Sequence, residues 1–342
     1  MLNLLGQSES QLRDLLVTLG EPAYRGRQIY HALYAERRFD FAAMTNLPQA
    51  LRERLAREFR IALPRIAQRF VSADESVRYL FTLDGGTSVE TVFMPEESRQ
   101  TICISTQAGC AVDCKFCLTA TLGLIRNLTA GEIIGQVLAA LEENRPALRP
   151  QTNVVLMGQG EPLLNYEPVM AALRILLDAN GVALSPKHVT LSTSGIVPGI
   201  ERLAEEQVRP KLAVSLNASS DEQRERIMPI NRKYPLDVLL AACRRYPLRP
   251  WEKLTFEYVL LGGFNDSADD ARRVVRLLNG IRCKVNLIPW NPGDLPYAPP
   301  DAARTETFRR TLAEKDVPVF VRYSRGQDVF AACGQLASIA TN

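Results

Sequence analysis

The chain opens with MLNLLGQSESQLRDLL, which lacks a basic stretch leading into an apolar run and a small-residue cleavage site. A secretory leader is therefore not expected. No stretch approaches the roughly 18 consecutive apolar residues of a membrane span, so the chain is expected to work in the cytoplasm, away from any membrane. Fixed-length repeats and low-complexity tracts are also missing, which argues against a repeat array. Residues 1–70 hold no lysine; eleven arginines stand there against seven acids, while the whole chain carries only +3. All-arginine basicity suits phosphate, because the guanidinium fork binds it in bidentate fashion and stacks on bases; on charge alone a solvated helix surface is the plainer reading. Histidine is limited to His31 and His188, which are distant from each other in sequence.

What is present is an ordinary globular composition. With 342 residues, 46% hydrophobic and 23% charged, the chain can bury a large core, and one big domain with a smaller companion is expected. SQLRDLLVTLG opens on Ser10 and stops at Gly20; YRGRQIYHALYAERR carries apolar residues at helical spacing; NLPQALRERLAREFR has Pro48 just inside its start. Residues 1–72 thus read as a small helical domain. SVRYLFTLDGGTSVETVFMPE places β-branched and aromatic runs around Asp84-Gly85-Gly86, the pattern of a hairpin, assigned to 73–100.

From 101 to 342, short apolar strands alternate with helical stretches. The strands are TICIST, NVVLMG, HVTLSTS, KLAVSLN, LTFEYVLL, KVNLIPW and VPVFVRY; TAGEIIGQVLAALEEN is a representative helix with a capping box from Thr129 to Glu132. Such alternation implies an α/β fold of parallel strands joined by crossover helices, as in a complete or partial barrel. Gly158 to Glu161, Ser192 to Ser194, Ser215 to Asn217 and Asn291 all follow the C-terminal ends of successive strands, the rim where barrels assemble active sites.

Seven cysteines is an odd number, and four of them fall between Cys103 and Cys117. A reducing compartment disfavours structural disulfides, so metal binding or thiol chemistry is expected. Cys110, Cys114 and Cys117 form C-x3-C-x2-C. A structural zinc site wants four closed ligands, commonly as two separated pairs; a dithiol redox motif needs only Cys114 and Cys117 and leaves Cys110 unexplained. Three thiolates can instead hold three irons of a 4Fe–4S cluster and leave the fourth open to a small molecule. The spacing directly after a first barrel strand favours the cluster. A non-catalytic zinc-dependent RNA-binding protein is the alternative of another class.

CxxxCxxC after the first strand, with Phe116 before the last cysteine, resembles the radical S-adenosylmethionine (SAM) enzymes, in which the methionyl amine and carboxylate chelate the fourth iron. GQGEP, Gly158 to Pro162, stands where those enzymes keep a glycine-rich motif, glycine permitting close backbone approach to the ligand. The likeness extends over nearly the whole chain to the RlmN/Cfr family of RNA adenine methyltransferases. MTNLPQALR, GTSVETVFMPE, CISTQAGCAVDCKFC, NVVLMGQGEPLLN, VTLSTSGIVPGI, AVSLNA, RIMPINRKYPL, KVNLIPWNP and VRYSRGQDVFAACGQL resemble its blocks, in its order.

The resemblance implies a partial (βα)6 TIM-like radical SAM barrel, with an N-terminal helical accessory domain that helps hold RNA and a connecting β-hairpin. It implies methylation of carbon 2 of adenine in 23S rRNA, in the peptidyl-transferase region, and in tRNA, 3′ of the anticodon; methylation of carbon 8 of the rRNA base is the alternative within the family. Two SAM molecules serve each product. One methylates a cysteine, and the other is reduced by the cluster to a 5′-deoxyadenosyl radical, which takes hydrogen from the new methyl group. The thiomethylene carbon adds to the base, and a second cysteine then releases the product.

Residue by residue, the resemblance gives Cys333, in AACGQL, as the methyl carrier and Cys103, in TICIST, as the resolving cysteine, the two forming a transient disulfide. Glu90, in SVETV, matches the proton acceptor. Gly160, Glu161, Ser192, Ser215, Leu216, Asn217 and Asn291 match SAM-binding positions, Asn217 standing where the family often has histidine. Without the resemblance, Cys103 and Cys333 read as core thiols, Glu90 as a solvated hairpin side chain and the serines and asparagines as turn caps. Cys243 and Cys283 match no functional position and read as structural. The implied partners are 23S rRNA, tRNA and a flavodoxin-like electron donor, and the chain is expected to act as a monomer.

Overall fold

The computed structural model describes residues 1–337. Its centre is a ten-stranded sheet whose strands lie side by side in chain order. The first four, β1 (Arg65–Val71), β2 (Val77–Thr82), β3 (Ser88–Pro95) and β4 (Arg99–Cys103), run antiparallel to one another. From β4 onward every pair is parallel: β5 (Gln151–Leu156), β6 (Val189–Thr193), β7 (Lys211–Ser215), β8 (Leu254–Leu260), β9 (Cys283–Pro289) and β10 (Val319–Val321). Asp84–Gly86 makes the turn between β2 and β3, as the Asp-Gly-Gly signal implies. The sheet remains open, because among the described residues β1 and β10 are its two edges and do not pair.

Three helices precede the sheet, α1 (Glu9–Thr18), α2 (Tyr24–Tyr34) and α3 (Gln49–Glu58). The parallel strands are joined through α4 (Ala130–Glu143), α5 (Tyr166–Leu177), α6 (Val197–Glu205), α7 (Asp221–Ile227), α8 (Leu236–Arg245), α9 (Ala268–Leu278) and α10 (Ala302–Ala313). Helix α4 shows why the local sequence gives this layer. Thr129 Oγ1 accepts from Glu132 N at 3.2 Å, and the Glu132 carboxylate accepts from Thr129 N at 2.9 Å, so the capping box satisfies two orphan N–H groups. The apolar stretch that follows packs into the core.

The first helix begins earlier than Ser10. Ser8 is its cap, with Gln11 at the third helical position returning the hydrogen bond to Ser8 N at 2.8 Å. A glutamine can close a capping box as glutamate does, and this one decides between two nearby serines. One hydrophobic core runs from Leu4, Leu12, Leu16 and Ile29 through Ile133 and Val137 of α4 to Val214, Phe256 and Leu287 of the strands. The N-terminal helices therefore share the core of the sheet. Tyr30 Oη also donates to Asp178 Oδ2 at 2.8 Å, tying α2 to the end of α5. Among the described residues, no helix is long and apolar enough to cross a membrane.

Candidate active site

Beyond β4 the chain forms a two-stranded antiparallel ribbon, Gln107–Gly109 with Leu124–Asn127, and residues 110–117 project from it. Backbone bonds fix this loop: Cys110 N donates to Gly123 O at 2.9 Å, Lys115 N to Ile227 O at 2.9 Å and Cys117 N to Cys114 O at 3.1 Å. Asp113 takes the left-handed conformation, φ 59°, that lets the segment fold back, and aspartate tolerates it better than most residues. The result is that Cys110, Cys114 and Cys117 line one cavity of about 170 Å³.

The opposite walls come from the C-terminal ends of the parallel strands. Gly158, Gly160 and Glu161 follow β5; Ser192 to Ser194 end and follow β6; Ser215 and Asn217 end and follow β7; Asn291 follows β9. Gly160 has φ 98°, and a Cβ there would lie 2.5 Å from Gln107 Cβ, so glycine is required before any ligand is considered. Glu161 is buried with both carboxylate oxygens engaged, Oε1 by Leu163 N at 3.0 Å and Oε2 by Ser194 N at 2.7 Å. Burial raises its pKa, and these N–H donors oppose the rise. Ser194 Oγ is near enough to favour that carboxylate's charge, yet it is buried outside hydrogen-bond range of any described partner, on the cavity wall.

Two asparagines on the wall also have work within the protein. Asn217, at φ 55°, accepts from Val259 N at 2.9 Å and donates to Met228 Sδ at 3.3 Å, stitching β7 to β8. Asn291 donates to Cys333 O at 3.0 Å and accepts from Gln327 Nε2 at 3.0 Å. Leu216 is fully buried and off the wall; its N–H donates to Glu257 O at 2.9 Å and its C=O accepts from Arg224 Nε at 3.1 Å.

Cys333 lines the same cavity as the three clustered cysteines and is the one exposed cysteine among the described residues. Burial pushes its thiol up to about 11, helped by the charges of Glu257 and Cys117. Cys103 lies behind the wall, in a buried cluster with Val92 of β3 and with Ala331 and Leu336, which flank Cys333 in sequence. Burial, and next the neighbouring charge of Cys333, raise the Cys103 thiol far above its ordinary range. The structure thus brings Cys103 to the segment that carries Cys333. Burial likewise pushes Cys110 up to about 12 and raises Cys114 and Cys117. All seven cysteines are free, with Cys243 and Cys283 in the core.

Glu90 is not on the cavity wall. Nor is it the solvated side chain that a hairpin glutamate suggests, for it is completely buried and ion-paired with buried Arg78. Gln159 Nε2 lies 3.5 Å from Glu90 Oε2, placing the carboxylate one layer behind Gly158 and Gly160. Two residues of the site escaped the sequence reading. Glu257 lines the cavity from within an apolar strand, where an acid is out of place, and that was its available signal. Arg224 sits on α7 among charged residues and resembles a surface arginine, yet it is fully buried. It donates to Ser194 O at 2.6 Å, Ser215 O at 3.1 Å and Asn231 Oδ1 at 3.1 Å, with Cys114 among the charges it feels.

Comparison with known proteins follows the same two-part division. Residues 104–278 match the Radical SAM superfamily, and residues 2–61 match the ribosomal RNA large subunit methyltransferase N-terminal domain. A probable dual-specificity RNA methyltransferase RlmN of Koribacter versatilis is 50% identical over 336 residues, covering 93% of this chain and 96% of that protein. A dual-specificity RNA methyltransferase RlmN of Anaeromyxobacter dehalogenans is 48% identical, covering 96% of this chain and 90% of that protein. The chain belongs to the RlmN family of radical SAM enzymes. The crystal structure of a radical SAM methyltransferase from Sphaerobacter thermophilus superposes with a TM-score of 0.94 at 44% identity, over 99% of this chain and all of that one.

An RlmN-family radical SAM enzyme uses a 4Fe–4S cluster and SAM. The donor set fits: three soft thiols border one cavity, which is also lined by Ser194, a residue whose buried hydroxyl oxygen has no hydrogen-bond partner among the described residues. The thiols are set around the wall; among the described residues no three His, Cys, Asp or Glu side chains are grouped as for a single metal ion.

Proposed function

We propose that this protein methylates carbon 2 of adenine in 23S rRNA and in tRNA, with Cys333 as the methyl carrier and Cys103 as the thiol that resolves the protein–RNA adduct. One observation carries the reading: the Cys333 thiol shares a cavity with Cys110, Cys114 and Cys117 while Cys103 is packed against its flanks. Carbon 2 of adenine has no nucleophilic lone pair, so a polar methyl transfer has nothing to attack. When bound, the cluster and SAM supply the one-electron chemistry that activates a methyl group on sulfur.

The chain's own residues supply position and protons. Cys110, Cys114 and Cys117 would hold the cluster; burial raises all three thiols, so ligation would displace their protons. Gly160, Glu161, Ser192, Ser194 and Ser215, which line the cavity at the strand ends, would hold SAM. The backbone around Leu216 shapes that rim, while Asn217 and Asn291 keep it assembled. Cys333 would present the methyl carbon to the base and Glu90 would accept the carbon-2 proton. The Cys103 thiolate would then attack the Cys333 sulfur, the S–CH2 bond breaking with its electron pair to the methylene carbon, which takes a proton to become the product methyl group. The Cys103–Cys333 disulfide left behind would be reduced by an external thiol.

RNA is held by the N-terminal helices. Arg13, Arg27 and Arg57 are exposed there and make no ion pair among the described residues. An electron donor is required and is proposed to be a flavodoxin-like protein; the enzyme is proposed to act as a monomer in the cytoplasm. Anaerobic purification followed by mass spectrometry of RNA digests tests the whole reading. A brown, iron- and sulfide-containing protein that forms 2-methyladenosine is expected. Formation of 8-methyladenosine moves the enzyme to the Cfr-type reaction, and colourless protein with stoichiometric zinc refutes the enzyme.

A further inference from the structure

We propose that the turn Ser72–Ser76, between β1 and β2, is the docking site that sets the position of Cys333, with Asp74 and Asp328 as its positioning residues. The functional consequence rests on the reading of Cys333 as methyl carrier; the docking itself does not.

After β10 the chain crosses to Cys333 with only a short helical turn, Gln327–Val329, so regular structure does little to place the thiol. Polar anchors do so at two ends. At the near end, Leu118 N donates to Gly334 O at 2.8 Å, Gln335 Nε2 to Pro292 O at 2.7 Å and Asn291 Nδ2 to Cys333 O at 3.0 Å. These contacts adjoin the cavity already described, whose wall includes Asn291, Cys333 and Gly334. The far end lies outside it, on the antiparallel strands.

There the two carboxylates are exchanged. Asp74, from the turn, accepts from Gly326 N at 3.0 Å and from Arg325 Nε at 3.4 Å. Asp328, from the Cys333 segment, accepts from Ser72 Oγ at 2.5 Å and from Ala73 N at 3.0 Å. The Arg325 guanidinium also donates to the carbonyls of Asp74 and Pro95. Each side thus supplies an acid that satisfies the other's backbone, and charge-assisted bonds of this kind are stronger and more directional than neutral ones. Gly326 permits the approach: its φ is 64°, and a Cβ there would meet Ala331 Cβ at 2.7 Å. Phe330, three residues before the thiol, has φ 53°, a conformation that a bulky side chain keeps only when its surroundings impose it.

The turn carries no residue of the cavity wall, so weakening it leaves the cluster ligands and the strand-end rim in place. The test is Asp74→Asn, Asp328→Asn and the double variant, each as the full chain loaded with its cluster. Hydrogen exchange is read at the amides of 326–334 and of β4 to β9, with iron per chain and methyl occupancy of Cys333 measured by mass spectrometry. The expected result is at least tenfold faster exchange confined to 326–334, full iron content and a severalfold loss of Cys333 methylation. The double variant should be less than additive, because both acids serve one lock. Unchanged exchange and unchanged methylation in the double variant would overturn the proposal. If the unaltered protein carries no methyl group on Cys333, the methyl-carrier reading fails instead, and the exchange result still decides the docking.

Discussion

The two halves of the ten-stranded sheet do different jobs. Parallel strands β5, β6, β7 and β9 deliver glycine, serine, asparagine and glutamate from their C-terminal ends to one cavity, whereas β1 to β3 contribute no residue to its wall. The antiparallel half instead holds the buried Arg78–Glu90 pair and the turn that grips the Cys333 segment. Most of the cavity wall thus comes from the parallel rim, and the antiparallel strands hold Glu90 and the segment that carries Cys333, the two groups proposed to act on the base.

Experiments on each half can break or sharpen this contrast. The largest effect is expected on the parallel side: Cys117→Ala removes one cluster ligand and should abolish methyl transfer, with iron and sulfide per chain falling together. On the antiparallel side, Arg78→Met should leave cluster assembly possible but strand Glu90 without its partner in the core. Breaking a buried pair in this way costs about 3–5 kcal/mol, which thermal or denaturant unfolding will read. Arg78→Met with Glu90→Gln should recover much of the stability but none of the methyl transfer, separating the structural role of that carboxylate from its proposed role as proton acceptor.

Smaller effects are expected away from both. Replacing Arg13, Arg27 and Arg57 with alanine should weaken RNA binding and reduce the slope of log affinity against log salt by about 2–3, as each lost phosphate contact removes roughly 0.7–0.9. A slope that does not change would place RNA recognition elsewhere. The mildest test is chemical. In metal-free protein, the Cys333 thiol is held protonated at neutral pH because its pKa is pushed up to about 11, so alkylation should accelerate with pH up to that value. Cys103, more deeply buried and raised further, should trail it throughout. Equal rates at neutral pH would contradict the placement of the two thiols.

Local and periodic features were legible in the sequence. Strand and helix alternation predicted the parallel order, the Thr129–Glu132 capping box predicted the start of α4, and residues after strand ends predicted most of the cavity wall. What was illegible depends on partners distant in the chain. Glu90 and Arg224 are charged residues in ordinary local contexts; one is buried by an arginine on the neighbouring strand, the other by carbonyls at the ends of β6 and β7. The lock between Asp74 and Gly326 joins residues at opposite ends of the molecule's sequence, so neither residue's neighbours announce it. Gly160 shows the converse, since a residue read as making room for a ligand is already required by its contact with Gln107.

Cys333 is proposed to join RNA covalently, and Cys103 to release it. Expression of Cys103→Ala with its RNA tests this most directly, with the protein recovered anaerobically and digested for mass spectrometry. Addition to the base remains possible in this variant while resolution is blocked, so an RNA adduct should accumulate on Cys333. Cluster-loaded Cys103→Ala protein that carries no adduct, or carries one on another residue, would contradict the account.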